Sequence, residues 1–386
     1  MSIIRSVLKS LHANNGLLYI SMGNILGASL TGVFWLLLAT IQTVDDYGKT
    51  NYLVAISSLA CFVGLMGLNT TVTNFTGELK KISIQANQVT LILSIVASVL
   101  ISVIFGWHLG LFVLSMVFWM MSSYELLGKR LYKQYALVVV GARGLQFGLS
   151  FPLYFVFGID GIVMSFVVSF FAFSYRYFIS IREFDFRFDQ IRGKMKFSLH
   201  AYAFNMSTAF LLYFDKLIIL PLFGYAVLGY YQISLQFLLF VGMIPISLYQ
   251  YLLSSESADT EKTKLRILGY GVSVILALLL FVASPWLIQK FFPNFENSID
   301  ALRIVSIGIM PMTIVWTINS RLFKVGKSKL VAIGSAIYLS VQITLIYLLG
   351  NALGVMGLAI ALDIALSVQA AFLYFYQKRV KRDLLQ

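Results

Sequence analysis

A few charged and amide side chains lie inside runs of apolar residues, and their types suit the binding of an anion or the exchange of a proton. Arg143 lies ten residues beyond Lys133, about 15 Å along a helix, too deep to reach water easily. Gln146, three residues on, shares its helix face. A guanidinium fork beside an amide is a good receptor for a phosphate; the alternative is an arginine clamped to carbonyls or to an acid of a neighbouring helix. Asp215 and Lys216 are adjacent, so on a helix they point about 100° apart and each is expected to need its own partner. In one reading Lys216 contacts an anion and Asp215 is its counter-ion or a coupling carboxylate. In the other, Asp215 holds an outer gate through backbone amides. Asn205, Thr208 and Asp215 recur at helical spacing on one stripe, as on a helix that lines a wet cavity. Asp363 sits about ten residues into the last apolar run, with Ser367 one turn further on. Burial favours the neutral acid, which suits proton coupling; a structural acid paired with Arg143, Lys216 or a hydroxyl is the alternative. Gln342 is a further substrate-binding candidate, whereas Asn319, Gln232 and Gln236 have interhelical hydrogen bonding as their ordinary role.

Catalysis finds little support in the same residues. No HExxH, CxxC or GxxxxGK[ST] pattern occurs, and Gly326-Lys327-Ser328 lacks the upstream glycine of a phosphate loop. The single cysteine, Cys61, excludes an intrachain disulfide and a thiolate cluster. His12, His108 and His200 fall in different regions. A membrane-embedded transferase acting on a polyprenyl phosphate needs a DxD or DDxxD cluster. The one acidic doublet, Asp45-Asp46, comes without basic phosphate contacts. The chain is therefore expected not to be an enzyme and to use no cofactor or metal. Glu125 and Glu256, at the ends of apolar runs, are expected to be solvated among lipid headgroups.

These side chains must be positioned by membrane helices. Of 386 residues, 59% are hydrophobic and 12% charged, against roughly 25% charged in a soluble domain. Apolar runs of about 20 residues, enough to cross a bilayer as a helix, begin near Leu17, Gly48, Asn87, Leu109, Tyr135, Gly161, Phe197, Val227, Leu265, Ala301, Lys329 and Leu353. They imply an all-α integral membrane protein of about twelve spans. The first run follows Arg5, Lys9 and His12, and it is expected to be a retained span rather than a cleaved signal. The polar stretch 182–196 reads as a cytoplasmic linker between an N-terminal lobe, 1–181, and a C-terminal lobe, 197–386, of six helices each. About 24 of the 29 basic residues fall on one side, so both termini are expected in the cytoplasm. The opposite side holds Lys49, Lys290 and Arg303. The net charge of +13 is read as topology and attraction to anionic membrane lipid, not as binding to nucleic acid.

The halves are similar to each other. An offset of 196 positions aligns Lys133 with Lys329, Gln146 with Gln342, Gly158 with Gly354 and Gly161 with Gly357. A weaker echo sets Tyr47-Gly48 against Leu228-Gly229. A duplication whose halves begin on the same side gives parallel repeats about an axis along the membrane normal, an arrangement in which a transporter site lies between two lobes.

The stretch FDKLIILPLFGYAVLGYYQISLQFLLFVGMIPISLYQ, from Phe214, resembles the seventh and eighth helices of the multidrug/oligosaccharidyl-lipid/polysaccharide (MOP) exporter superfamily, in particular its polysaccharide flippase branch. Asp215-Lys216, Leu228-Gly229-Tyr230-Tyr231 and Pro245-Ile246-Ser247 carry the resemblance in order. DDYGKTNYL after the first span and NALGVMGLAIA before the last are similar to other recurrent stretches of the family. The resemblance implies a two-lobed bundle that alternates access and moves a polyprenyl-(di)phosphate-linked oligosaccharide outward across the cell membrane, alongside polysaccharide assembly enzymes. No extra pair of helices is expected at the end, which argues against the fourteen-helix lipid II flippase relatives. A drug or organic-cation exporter of the same superfamily is the second expectation; it would carry more carboxylates than bases in its cavity.

Overall fold

The computed structural model describes residues 15–79, 81–183, 188–254, 259–324 and 328–383. Arg5, Lys9, His12, Glu256 and Lys327, and the side chains of Thr208, Pro245 and Ser247, lie outside the described residues. Helices follow one another with short breaks: α1 Asn15–Ile41, α2 Val44–Leu65, α3 Leu68–Phe75, α4 Ile82–Phe105, α5 Trp107–Gly128, α6 Tyr132–Phe157, α7 Ile159–Ala172, α8 Tyr175–Arg182, α9 Asp189–Ser254, α10 Asp259–Phe291, α11 Ile299–Ile307, α12 Ile309–Lys324, α13 Ser328–Leu353 and α14 Val355–Asp383. A 3-10 turn at Pro293–Ser298 precedes α11, and the described residues include no strand. Residues 189–196 of the polar stretch are the first turns of α9.

Nine described helical segments are long and apolar enough to cross a membrane; two bent pairs, α2 with α3 (52°) and α7 with α8 (54°), raise that to eleven. The 66 residues of α9 would span about 99 Å if straight, some three times the hydrocarbon thickness. Gly224 resolves the excess. Its φ of 82° and ψ of 177° interrupt the helix, in a region of backbone space that a side chain disfavours. With that break counted, the chain is an all-α membrane protein of about 12 transmembrane helices.

The helices form two compact units, one of Leu53–Ala209 with the described part of Met1–Thr31, the other of Gly32–Tyr52 with Phe210–Gln386. In the first, α1 lies on α6 through small residues. A Cβ on Gly23 would meet the Ala136 backbone at 2.9 Å, and one on Gly27 would meet Val139 at 3.0 Å. This is the close approach that glycines four apart allow between membrane helices. Asn24 adds a hydrogen bond from the Tyr135 hydroxyl at 2.8 Å. In the second unit, Gly48 of α2 lies against the Tyr225 carbonyl and Gly229 of α9 against the Val44 carbonyl. The two Gly positions that echo one another in sequence thus pack reciprocally. Tyr47 beside them is buried edge-on to Phe295, with centroids 5.5 Å apart.

Each unit also contains one copy of the repeated hairpin. Gly158 joins α6 to α7 at φ 61°, and Gly354 joins α13 to α14 at φ 59°. Three residues later, Gly161 and Gly357 let the next helix begin flush against the carbonyls of Leu153 and Leu349, where a Cβ would collide with backbone. The aligned glycines therefore build the same corner twice.

Candidate functional site

In the first unit the site is built around Arg143, near the middle of the 26-residue α6. Its guanidinium lies over two rings, 5.2 Å from the centroid of Trp119 on α5 and 5.2 Å from that of Phe170 on α7. The rings are themselves stacked, 4.7 Å apart and 13° from parallel. A charge at this depth costs about 2.5–3.5 kcal/mol to insert, and a desolvated cation–π contact recovers up to about 2 kcal/mol. The ring contacts thus offset much of that cost. Trp119 is 9% exposed and its indole Nε1 has no hydrogen-bond partner.

Gln146 shares this region of α6 but is engaged locally. Its amide donates to the Ser150 hydroxyl at 3.0 Å, and Ser150 pairs with Ser165 of α7 at 2.6 Å. Asn205 donates to Asn69 Oδ1 at 3.2 Å and to Thr70 Oγ1 at 3.1 Å, fastening α9 to α3. The stripe that joined Asn205 to Asp215 in sequence is divided, because the first unit ends at Ala209 and the second resumes at Phe210.

In the second unit Asp215 and Lys216 are each 6% exposed. Lys216 Nζ lies 3.2 Å from Asp215 Oδ1 and donates to the Leu212 carbonyl at 2.7 Å. This corrects the expectation that adjacent residues on a helix need separate partners. The lysine stem is long enough to fold back along the preceding turn, where the carbonyl four residues earlier draws Nζ to the side on which the carboxylate lies. Asp215 Oδ1 also accepts the Lys216 backbone N–H at 2.8 Å.

Around this pair the second unit gathers further polar groups. Tyr231 lies beside the Asp215 carboxylate and the Gln342 amide, and its hydroxyl closes no hydrogen bond. Gln342 also neighbours Tyr338, one turn earlier on α13, and Tyr338 lies within electrostatic reach of both Asp215 and Asp363. Asp363 Oδ1 fits into the space left by the missing side chain of Gly308, between α11 and α12, and it too has no hydrogen-bond partner. Asp215, Gln342 and Asp363 therefore belong to one polar interior in this unit, whereas Arg143, Gln146 and Asn205 belong to the first.

Glu125 departs from its expected headgroup solvation. It is 2% exposed and accepts from Lys129 Nζ at 2.5 Å and from Arg176 at 2.7 Å. The bend between α7 and α8 brings Arg176 onto the end of α5, and the two cations replace water for the carboxylate. Among the described residues, no group of three or more His, Cys, Asp or Glu is placed to hold a metal.

Trp119, Phe170 and Tyr338 were not singled out from sequence, and Tyr231 only as part of a family resemblance, because aromatic residues in apolar runs look like ordinary packing. One signal was available for Trp119. Membrane tryptophans concentrate at the interfaces, and this one lies about 18 Å along α5 from Trp107.

No family model matches the chain, and no curated protein matches it in sequence. Its fold is that of MATE transporters of the MOP superfamily. An inward-facing multidrug resistance MATE family transporter superposes with a TM-score of 0.71 at 15% identity, covering 95% of this chain and 98% of the other. The outward-facing form of such a transporter gives 0.61 at 14% identity over 96% of both chains. A MOP superfamily transporter from Pyrococcus furiosus, described as having a binding pocket of reversed polarity that suggests a different function, gives 0.60 at 15% identity over 96% of both.

Proposed function

We propose that the chain is a flippase that moves a polyprenyl-(di)phosphate-linked oligosaccharide across the cytoplasmic membrane by alternating access, without covalent chemistry. The observation that carries this reading is Arg143, a mid-span guanidinium 5.2 Å from the ring centroids of both Trp119 and Phe170. An anionic carrier phosphate is the natural ligand for such a group. In this reading Arg143 receives the phosphate. Gln146 and Asn205 in the first unit, and Lys216 and Gln342 in the second, are further substrate-binding candidates, and Asp215 and Asp363 couple or gate the movement. Two six-helix lobes joined by the polar stretch 182–196, with both termini in the cytoplasm, fit the distribution of Lys and Arg.

The second reading is a cation-coupled exporter of organic cations. Two observations favour it: fold neighbours include multidrug resistance transporters, and Asp363 presents a carboxylate oxygen with no partner.

Reconstituted protein separates the two. A lipid-linked oligosaccharide placed in one leaflet should become accessible to an impermeant glycosidase on the other side, and a proton gradient should change the rate. No movement of any sugar lipid, together with efflux of organic cations, would replace the flippase by the exporter.

A further inference from the structure

We infer that the turn after α5, together with Arg176 of α8, is a binding site for the headgroup of an anionic phospholipid. The assignment is independent of the flippase reading. Helix α5 ends in a Schellman corner, in which the Arg130 N–H donates to the Leu127 carbonyl at 3.0 Å and the Leu131 N–H to the Leu126 carbonyl at 2.9 Å. Such a corner needs a left-handed residue just past the cap, where glycine is usual. Here it is Arg130, at φ 58°, one of two non-glycine residues with positive φ among the described residues. An arginine kept against its backbone preference points to a task for its side chain.

Arg130 is exposed, as are Lys129 before it and Lys133 in the first turn of α6. Arg176 joins them through Glu125, whose Oε1 accepts from both Lys129 and Arg176. Tyr175 ties the start of α8 to Gln134 of α6 at 3.3 Å. Segments 125–134 and 174–181 thus bring four cations together against one carboxylate, that of Glu125. The surplus calls for an anion.

The neighbouring surface suits a lipid rather than a soluble ion. Helix α8 is bent 54° from α7; it buries Tyr177 and Ser180 and leaves Tyr175, Phe178 and Ile179 exposed at helical spacing. An apolar stripe beside a group of cations is the arrangement of a helix at the boundary between headgroups and acyl chains, where basic pockets between membrane helices hold anionic headgroups. Phosphatidylglycerol has both the phosphate that the cations attract and the chains that the stripe takes.

The full chain in a neutral detergent, titrated with phosphatidylglycerol and followed by native mass spectrometry, gives the test. One phosphatidylglycerol should bind in preference to phosphatidylcholine. Arg130→Gly should raise its Kd about fivefold, the weight of one basic residue near an anionic surface, and Arg130→Gly with Lys133→Gln about 25-fold. Lys290→Gln, in the second unit, removes the same charge and should leave the Kd unchanged. Stability should move the other way. Glycine relaxes the left-handed corner, so the thermal midpoint of Arg130→Gly in phosphatidylcholine nanodiscs should rise by about 1–2 °C. Arg130→Asn, which also tolerates that backbone, repeats both readings should the glycine variant fail to fold. Equal weakening in Arg130→Gly and Lys290→Gln would reduce the site to diffuse attraction by net charge and overturn it, as would a wild type with no preference for phosphatidylglycerol. Displacement of the lipid by equimolar glycerol 3-phosphate would overturn it in favour of a soluble anion, and a midpoint that does not rise in Arg130→Gly would make the arginine structural.

Discussion

The α6–α7 hairpin of the first unit and the α13–α14 hairpin of the second turn the same glycine corner, yet their mid-span charged residues, Arg143 and Asp363, are of opposite sign. The offset that aligns Gly158 with Gly354 sets Leu339 where the first hairpin has Arg143, and Val167 where the second has Asp363. Phe170, half of the arginine's aromatic seat, is matched by Leu366. One scaffold has thus been fitted with a cation on its first helix in one copy and an acid on its second helix in the other. The lesson is that duplication fixes where helices turn, while polarity is decided by single substitutions at positions the turn does not constrain. Lys216 of the second unit does not blur this contrast, because Asp215 pairs with it directly.

The contrast breaks most completely when one hairpin is given the other's residue. Arg143→Leu should slow flipping of a lipid-linked oligosaccharide in proteoliposomes about 10- to 100-fold, the equivalent of a lost charged hydrogen bond. Arg143→Lys should retain part of the rate, since it keeps the charge and loses the fork. Unimpaired flipping in Arg143→Leu would remove this residue from the site.

The shared corner gives the next effect in size. Gly161→Ala and Gly357→Ala each push a Cβ into a backbone carbonyl, which cannot swing aside as a side chain can. Each should destabilise its hairpin by about 1–3 kcal/mol, read as matching drops in thermal midpoint. A drop in one variant alone would show that the two corners are not mechanically equivalent.

Asp363 sharpens the contrast from the acidic side. Asp363→Asn should abolish the response of transport to a proton gradient, about a tenfold loss of the driven rate, and leave downhill movement in place. Gradient-driven transport that survives Asp363→Asn would place coupling elsewhere.

How far these features could be read from sequence depends on whether backbone or side-chain geometry decides them. The glycine corners and about twelve helices follow from spacing and composition, because a bilayer demands helices and a left-handed φ favours glycine. Arg143 and Asp363 stand out because an ionised group in an apolar run is costly wherever it faces. The aromatic seat is different. Trp119 and Phe170 lie on separate helices, and nothing local marks which rings will meet. The Lys216 fold-back was missed for a related reason: helical geometry gives the direction of Cβ, not the reach of a four-carbon stem. The bend that sends Arg176 to Glu125 likewise depends on contacts remote in sequence.

The smallest effect tests whether aligned residues keep a common role. Gln146 and Gln342 occupy equivalent positions, but Ser150, which engages Gln146, is matched in the second hairpin by Ile346. With no hydroxyl one turn on, Gln342 turns instead toward Tyr231 and Tyr338. Gln146→Leu should therefore cost about 0.6 kcal/mol of stability, the usual worth of such a bond in a membrane protein, through loss of its link to Ser150. Gln342→Leu should act on the polar interior around Asp215, lowering transport about two- to threefold for a similar energy, with the thermal midpoint nearly unchanged. A Gln146→Leu variant whose apparent substrate affinity falls while its midpoint stays would reverse the assignment: its amide would then serve the substrate beside Arg143, and the serine link would be the replaceable contact.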